Sequence, residues 1–320
     1  MKYTIILLMM LMFPFRVHSA EGLDEAVLHY GRGEYRQTIN ILRQLSRSDP
    51  DDPVIRYWLG KSHLRINEWD AAVREFEKAV RLEPAKAYYR LWLGRAAGAM
   101  ADNSVFFRAV GWARRVISEF EKARDLEPEN TDVRFDLLEF YVQAPGIVGG
   151  GKNKAETEAR IIAELAPSKG YIARAIIHER NNNWDKARKE LTQATVDFPE
   201  IIHTHLDLAD FLLRRNDFKE ALKHGEKALE LDFQSKRARL IVAVAEIRLQ
   251  GDLDRAITML QRLAAGELYD GDPSFEEVYY YLGEGYLAKG EKSKAREAMN
   301  SALIFNPGYA RAKNALSKIN

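Results

Sequence analysis

The sequence predicts an all-α protein, a right-handed superhelical solenoid of about eight stacked helical hairpins closed by a C-terminal capping helix. Three observations predict it. A short turn phrase recurs along the chain, the apolar residues between its copies fall at helical spacing, and the copies lie at intervals that cluster near 34 residues.

Residues 1–20 come first and read as a cleaved secretory signal. Lys2 supplies the positive start, Tyr3 to Phe15 an apolar stretch, and Val17 to Ala20 small residues at a cleavage point after Ser19 or Ala20. The apolar run is shorter than the roughly 20 residues of a membrane-spanning helix, and Pro14 and Arg16 interrupt its end, so an uncleaved anchor is the second reading. Export is expected, to the periplasm if the source is a Gram-negative bacterium, with no transmembrane segment after cleavage.

From residue 21 to 320 the chain is one repetitive domain. The phrase occurs at Gly33-Glu-Tyr35, Asn67-Glu-Trp69, Asn182-Asn-Trp184, Asn216-Asp-Phe218, Gly251-Asp-Leu253 and Gly290-Glu-Lys292. Gly or Asn takes the left-handed conformation that ends one helix, and the acid beside it suits the positive end of the next. Taking the small residue after each phrase as a register mark gives Thr38, Ala72, Val116, Ala155, Ala187, Ala221, Ala256 and Ala295, at intervals of 34, 44, 39, 32, 34, 35 and 39. Small residues Gly60, Gly94, Ala175, Ala209 and Gly283 are expected where the two helices of a pair meet. Ala79, Ala123, Ala194, Ala228 and Ala302 are expected where one pair meets the next. Each hairpin then has two apolar faces and must stack to bury both, leaving a concave trough lined by first helices. Residues 308–318 suit the cap.

In the second copy Leu59, Gly60, His63, Trp69, Ala72, Phe76, Ala79 and Pro84, and in the last Tyr279, Leu282, Gly283, Tyr286, Gly290, Ala295, Met299, Ala302 and Pro307, follow the pattern of the tetratricopeptide repeat. The chain resembles that family over most of residues 21–320. The resemblance implies a non-catalytic scaffold that binds a protein or extended peptide in its groove, here in assembly or maintenance of a cell-envelope complex. Capture of a small molecule or glycan for an envelope transport or polysaccharide system is the alternative.

Two copies carry inserts. Residues 98–112 hold about ten extra residues with Phe106, Phe107, Val110 and Trp112, read as packing on the neighbouring hairpin in preference to a docking finger. Residues 143–153 contain Gly149, Gly150, Gly151 and Lys152, a candidate anion-binding loop. Gly146 to Lys152 spell the Gly-x4-Gly-Lys of a nucleotide-binding loop, but such a loop follows a strand and offers Ser or Thr to magnesium, whereas this one follows a helical segment and offers Asn153.

The remaining chemistry is sparse. With no cysteine there is no disulfide, thiolate metal site or cysteine nucleophile. His203-Thr-His205 would lie on a helix, where residues two apart diverge by about 200°, so the two rings cannot share a metal. No enzyme, cofactor or metal is expected. The 48 basic against 47 acidic residues leave no net field for nucleic acid. The resemblance places Tyr57, Lys61 and Arg65, Leu91 and Arg95, and Phe135 and Glu139 in the trough. It adds Ile172, Ile176 and Arg180, then Leu206, Asp210 and Arg214, then Ile241, Ala245 and Arg248, and finally Tyr280 and Glu284. Rings there would supply area and guanidinium groups would fix carboxylates, with the basic character greater toward the N-terminal half.

Overall fold

The computed structural model describes residues 14–319, with side chains for residues 21–319; Met1 to Phe13, most of the expected signal, lie outside the described residues. Among the described residues, helices pair into eight antiparallel hairpins. They are α1 (Pro14–Gly31) with α2 (Tyr35–Ser48), α3 (Pro53–Arg65) with α4 (Trp69–Leu82), α5 (Ala87–Asp102) with α6 (Phe106–Leu126), and α7 (Thr131–Gln143) with α8 (Lys152–Leu165). The second half comprises α9 (Pro167–Arg180) with α10 (Trp184–Asp197), α11 (Ile202–Arg214) with α12 (Phe218–Leu231), α13 (Lys236–Leu249) with α14 (Leu253–Ala264), and α15 (Phe275–Ala288) with α16 (Lys292–Phe305). A final helix, α17 (Ala310–Leu316), packs on α16 as the cap. No strand occurs among the described residues.

The turn phrase does what its chemistry requires. Asn67, Asn182 and Asn216 have φ of 62°, 57° and 60°, and Gly33 and Gly290 have 76° and 77°. These left-handed residues reverse the chain between the two helices of a hairpin. The seventh copy slips by one. There Gln250, not Gly251, is left-handed at φ 53°, and a Cβ on Gly251 would lie 2.1 Å from Oε2 of Glu246, so that carboxylate would have to move. A left-handed non-glycine residue costs on the order of 1 kcal/mol. Gln250→Gly is therefore expected to raise stability by about 0.5–1 kcal/mol, read as a higher urea midpoint; a lower midpoint would contradict the strain argument.

Close packing follows the register. All eight register residues, Thr38 to Ala295, are buried. Cβ atoms added at Gly60, Gly94 and Gly283 would lie 2.8, 2.4 and 2.8 Å from Phe76, Phe120 and Met299 of the paired helix. Each of those side chains stands four residues beyond its register mark, so the large residue fills the space that the glycine leaves. A second regularity ties the pairs together. Arg56, Arg90, Arg134 and Arg174 reach Glu75, Glu119, Glu158 and Glu190 at 3.3, 3.0, 2.7 and 2.8 Å. Each glutamate stands three residues beyond its register mark, and three of the arginines also donate to a proline carbonyl in the preceding link.

The insert of the third hairpin corrects the packing expectation in part. Trp112 packs against two core clusters, but Phe106 and Phe107 are 73% and 87% exposed. The physical reason is length: α6 has 21 residues while α4 and α8 have 14, so its first turn has no neighbour of matching extension.

Most links between hairpins are four residues long, as at 49–52, 83–86, 127–130, 198–201 and 232–235. The link 265–274 is longer, and it closes the molecule on itself. The Leu268 amide donates to the Gly31 carbonyl at 2.6 Å, the Tyr269 ring lies against Gly31, and Glu267 sits 3.8 Å from Arg32. The turn between α1 and α2 thus meets the strap between α14 and α15, with Gly33 close to the rings of Phe275 and Phe305.

Candidate functional site

The inner wall is formed by odd-numbered helices and is hollowed into adjoining cavities. One, of about 520 Å³, is lined by Phe135 and Glu139 of α7, Ile172, Ile176, Glu179 and Arg180 of α9, and Asp207, Asp210 and Arg214 of α11, with Arg237 of α13. The next, of about 940 Å³, shares Asp210, Arg214 and Arg237 and continues to Arg248, Glu277, Tyr280, Tyr281 and Arg311. A shallower hollow shares Phe135, Ile172 and Asp207 with the first and carries the wall on to Arg95 and Asp136. The hollows therefore adjoin one another along the wall from α5 to α17.

Its polar groups are paired across neighbouring hairpins. Arg95 meets Asp136 at 2.7 Å, Arg214 meets Glu179 at 2.9 Å, and Arg248 meets Glu284 at 2.7 Å, to which the Tyr280 hydroxyl also donates. Arg237 takes two acids at once, Asp207 at 2.9 Å and Asp210 beside it. Burial pushes the carboxyls of Asp207, Glu139 and Glu277 above the usual carboxylate range, with Arg237 opposing the rise at Asp207. A desolvated surface of half-neutralised charge suits a ligand that brings its own hydrogen bonds.

Of the residues expected in the trough, Arg95, Phe135, Arg180, Asp210, Arg214, Arg248 and Tyr280 line its cavities, together with Glu139, Ile172 and Ile176. Glu284 stands behind Tyr280 and Arg248. Tyr57, Lys61, Leu91 and Leu206 are corrected: all four are buried, Lys61 beneath Asp270 of the strap and the other three in the core. Arg65 is turned onto Tyr35, whose hydroxyl its Nε meets at 2.9 Å. In α13 Arg248 lines the cavity as expected, whereas Ile241 and Ala245 do not, and Arg237, Leu240 and Val244 line it in their place. The basic weight consequently lies toward the C-terminal half, where Arg214, Arg237, Arg248 and Arg311 share one cavity. Arg237, Asp207 and Arg311 also line the wall, beyond the positions that the repeat resemblance implies, and Arg237 sits one helical turn before Ile241.

The glycine loop holds itself. The amides of Gly149, Gly150 and Gly151 donate to the carbonyls of Gly146, Pro145 and Tyr141, and Lys152 is exposed beside Glu156 at 3.6 Å. Lys154, not Lys152, returns to the loop, donating to the Gly149 carbonyl. The three glycine amides expected for an anion are thus already engaged. Gly150 is required because a Cβ would lie 1.7 Å from the Ala144 carbonyl oxygen. His203 reaches Ser168 at 3.1 Å, while His205 meets the Pro199 carbonyl and His224, so the two rings go to different neighbours. Burial in that stack pushes His224 down to about 4.

Comparison with known proteins places these features among repeats of one kind. Two forms of the tetratricopeptide repeat pattern match, one at residues 29–96 and 248–319 and the other at 172–238, together more than half of the chain. Lipopolysaccharide assembly protein B of Escherichia coli strain K12 is 25% identical over 150 residues, 46% of this chain and 36% of that protein. The match spans about a third of that relative's length. Yeast Tom70 superposes with a TM-score of 0.62 at 17% identity, covering 94% of this chain and 63% of its own. The Cut9-Hcn1 hetero-tetramer of the APC/C gives 0.50 at 18%, covering 96% and 57%. Both solved structures are likenesses of fold.

Proposed function

Because this chain belongs to the tetratricopeptide-repeat family, we propose that it is a non-catalytic scaffold, exported to the cell envelope, that holds an extended segment of a partner protein in its trough. The observation that carries this reading is the continuity of the wall. Cavities of about 520 and 940 Å³ meet at Asp210, Arg214 and Arg237, giving an elongated surface across successive hairpins where an enzyme would have one enclosed pocket. Apolar Phe135, Ile172, Ile176 and Leu240 alternate along it with arginines that can take carboxylates or backbone carbonyls. The similarity to a lipopolysaccharide assembly protein supports the envelope as the place of action.

That similarity, with Tyr280 and Tyr281 in the larger cavity, also favours a second reading in which the trough captures a glycan or small anion. Crosslinking pull-down from the native envelope, beside thermal melting with a panel of sugars and small anions, separates the two. A protein partner recovered by the parent chain and lost from the Arg214→Ala, Arg248→Ala double variant is the expected result. Equal recovery by that folded variant, or a rise in Tm with a sugar alone, would overturn the scaffold reading.

A further inference from the structure

The strap at 265–274 ends a carboxylate in a place built for one. Lys61, on the inner face of α3, is buried, and its ammonium is ringed by Tyr30 at 4.8 Å, Trp58 at 4.5 Å, Tyr57 at 5.4 Å and Trp92 at 4.9 Å. Four ring faces stabilise a cation but leave its charge formally unmatched. The anion that matches it is Asp270, carried in from the far end of the chain. The two partners are unequally placed: the Lys61 side chain is 3% exposed and that of Asp270 is 44%. The cation is enclosed in the wall, while the anion stands on the solvent side of it.

The rest of the strap behaves as a docked segment with its own shape. Lys236 binds Asp272 at 2.8 Å and the Glu267 carbonyl at 2.6 Å, and the Tyr269 amide donates to Asp272, so the strap is tied to α13 by contacts that do not involve Asp270. Its contacts with the first two hairpins are of the kind an extended peptide makes: a backbone amide to the Gly31 carbonyl, a tyrosine ring on the flat surface at Gly31, and an acid in the lysine cage.

We propose that Asp270 stands, from within the chain, where an acidic side chain of the partner segment sits, so that the strap covers an extension of the trough onto α3 until an acidic ligand displaces it. This deepens the proposed function and rests on it. A site covered by its own chain binds with an apparent affinity reduced by the fraction of time it is open, which sets the size of the effect.

The probe is a fluorescein-labelled peptide with the strap's own sequence, residues 266–274, with blocked ends, and the protein is the full chain. Asp270→Asn removes the anion and keeps the shape; circular dichroism and melting check that it folds. The peptide is expected to bind this variant about ten-fold more tightly than the parent, with a change in Trp58 and Trp92 fluorescence, and to lose that gain when Lys61→Met is added. In the unaltered protein, the same peptide at millimolar concentration is expected to speed hydrogen exchange at the Leu268 amide. Equal affinity for parent and folded variant, or no binding to either, would overturn the proposal. Faster Leu268 exchange in Asp270→Asn without a gain in affinity would also overturn it, leaving the strap a clasp only. If the envelope partner is still captured by the parent in either case, the trough reading stands and the strap inference alone falls.

Discussion

Phe76→Ala is expected to destabilise the N-terminal hairpins by about 3–5 kcal/mol, the range for deleting a fully buried ring. Phe76 has no exposed surface, and its edge fills the space left by Gly60, where a Cβ would sit only 2.8 Å away. On its other side it stacks on Trp92 at 6.0 Å and 26° and meets Tyr57 at 6.0 Å. The cavity left by alanine would face a glycine, which has no side chain to move in, and two large rings fixed by their contacts with Lys61. Little collapse is available, so the cost lies toward the upper end. Because each hairpin in a stacked array is held by its neighbours alone, the loss should first appear locally. Tryptophan fluorescence, which reports Trp58 and Trp92 among others, should change at lower urea than the ellipticity. A single coincident transition within about 1 kcal/mol of the parent would show that the ring does not fill the space as described.

The hairpins were legible in the sequence because their causes are local. Asn67 and Gly290 announce a left-handed turn by residue type, and Ala72 or Ala295 announces a close contact by size. The trough was legible only in part. In α9 Ile172, Ile176 and Arg180 stand four residues apart on one helix face, and all three line the cavity. In α13 the run Leu240 to Ile247 is apolar all round apart from Glu246, because the helix is enclosed by α11, α12, α14 and α15, and periodicity then cannot say which side is open. The covering of Lys61 was beyond local reasoning altogether. The closing interval of 39 marks extra residues between Ala256 and Ala295, but their meeting with the first hairpins depends on small rotations summed over the whole stack. No residue type records that sum.

Arg237→Met should weaken the fold by about 1–3 kcal/mol at pH 7 and abolish partner binding. The stem volume is kept, so the loss is one of charge. Asp207 and Asp210, with side chains 19% and 28% exposed, share this one guanidinium, and without it two carboxylates face each other in partly desolvated surroundings. Loss of a partner from a fully buried pair costs about 3–5 kcal/mol, and the residual exposure here screens part of it. The pH dependence identifies the cause. Burial already raises Asp207 above its unfolded value, and Arg237 is the group that opposes the rise. In the variant Asp207 should move higher still. Between its unfolded pKa of about 3.9 and that raised value, the folded chain binds more protons than the unfolded chain, so stability increases as pH falls. The gap between parent and variant should therefore narrow from pH 7 toward pH 5. Adding Asp207→Asn should recover part of the loss at neutral pH. A gap that stays constant with pH, or widens on acidification, would mean that Arg237 acts through packing of its stem, and that the junction of the two cavities is not the charged hinge of the trough.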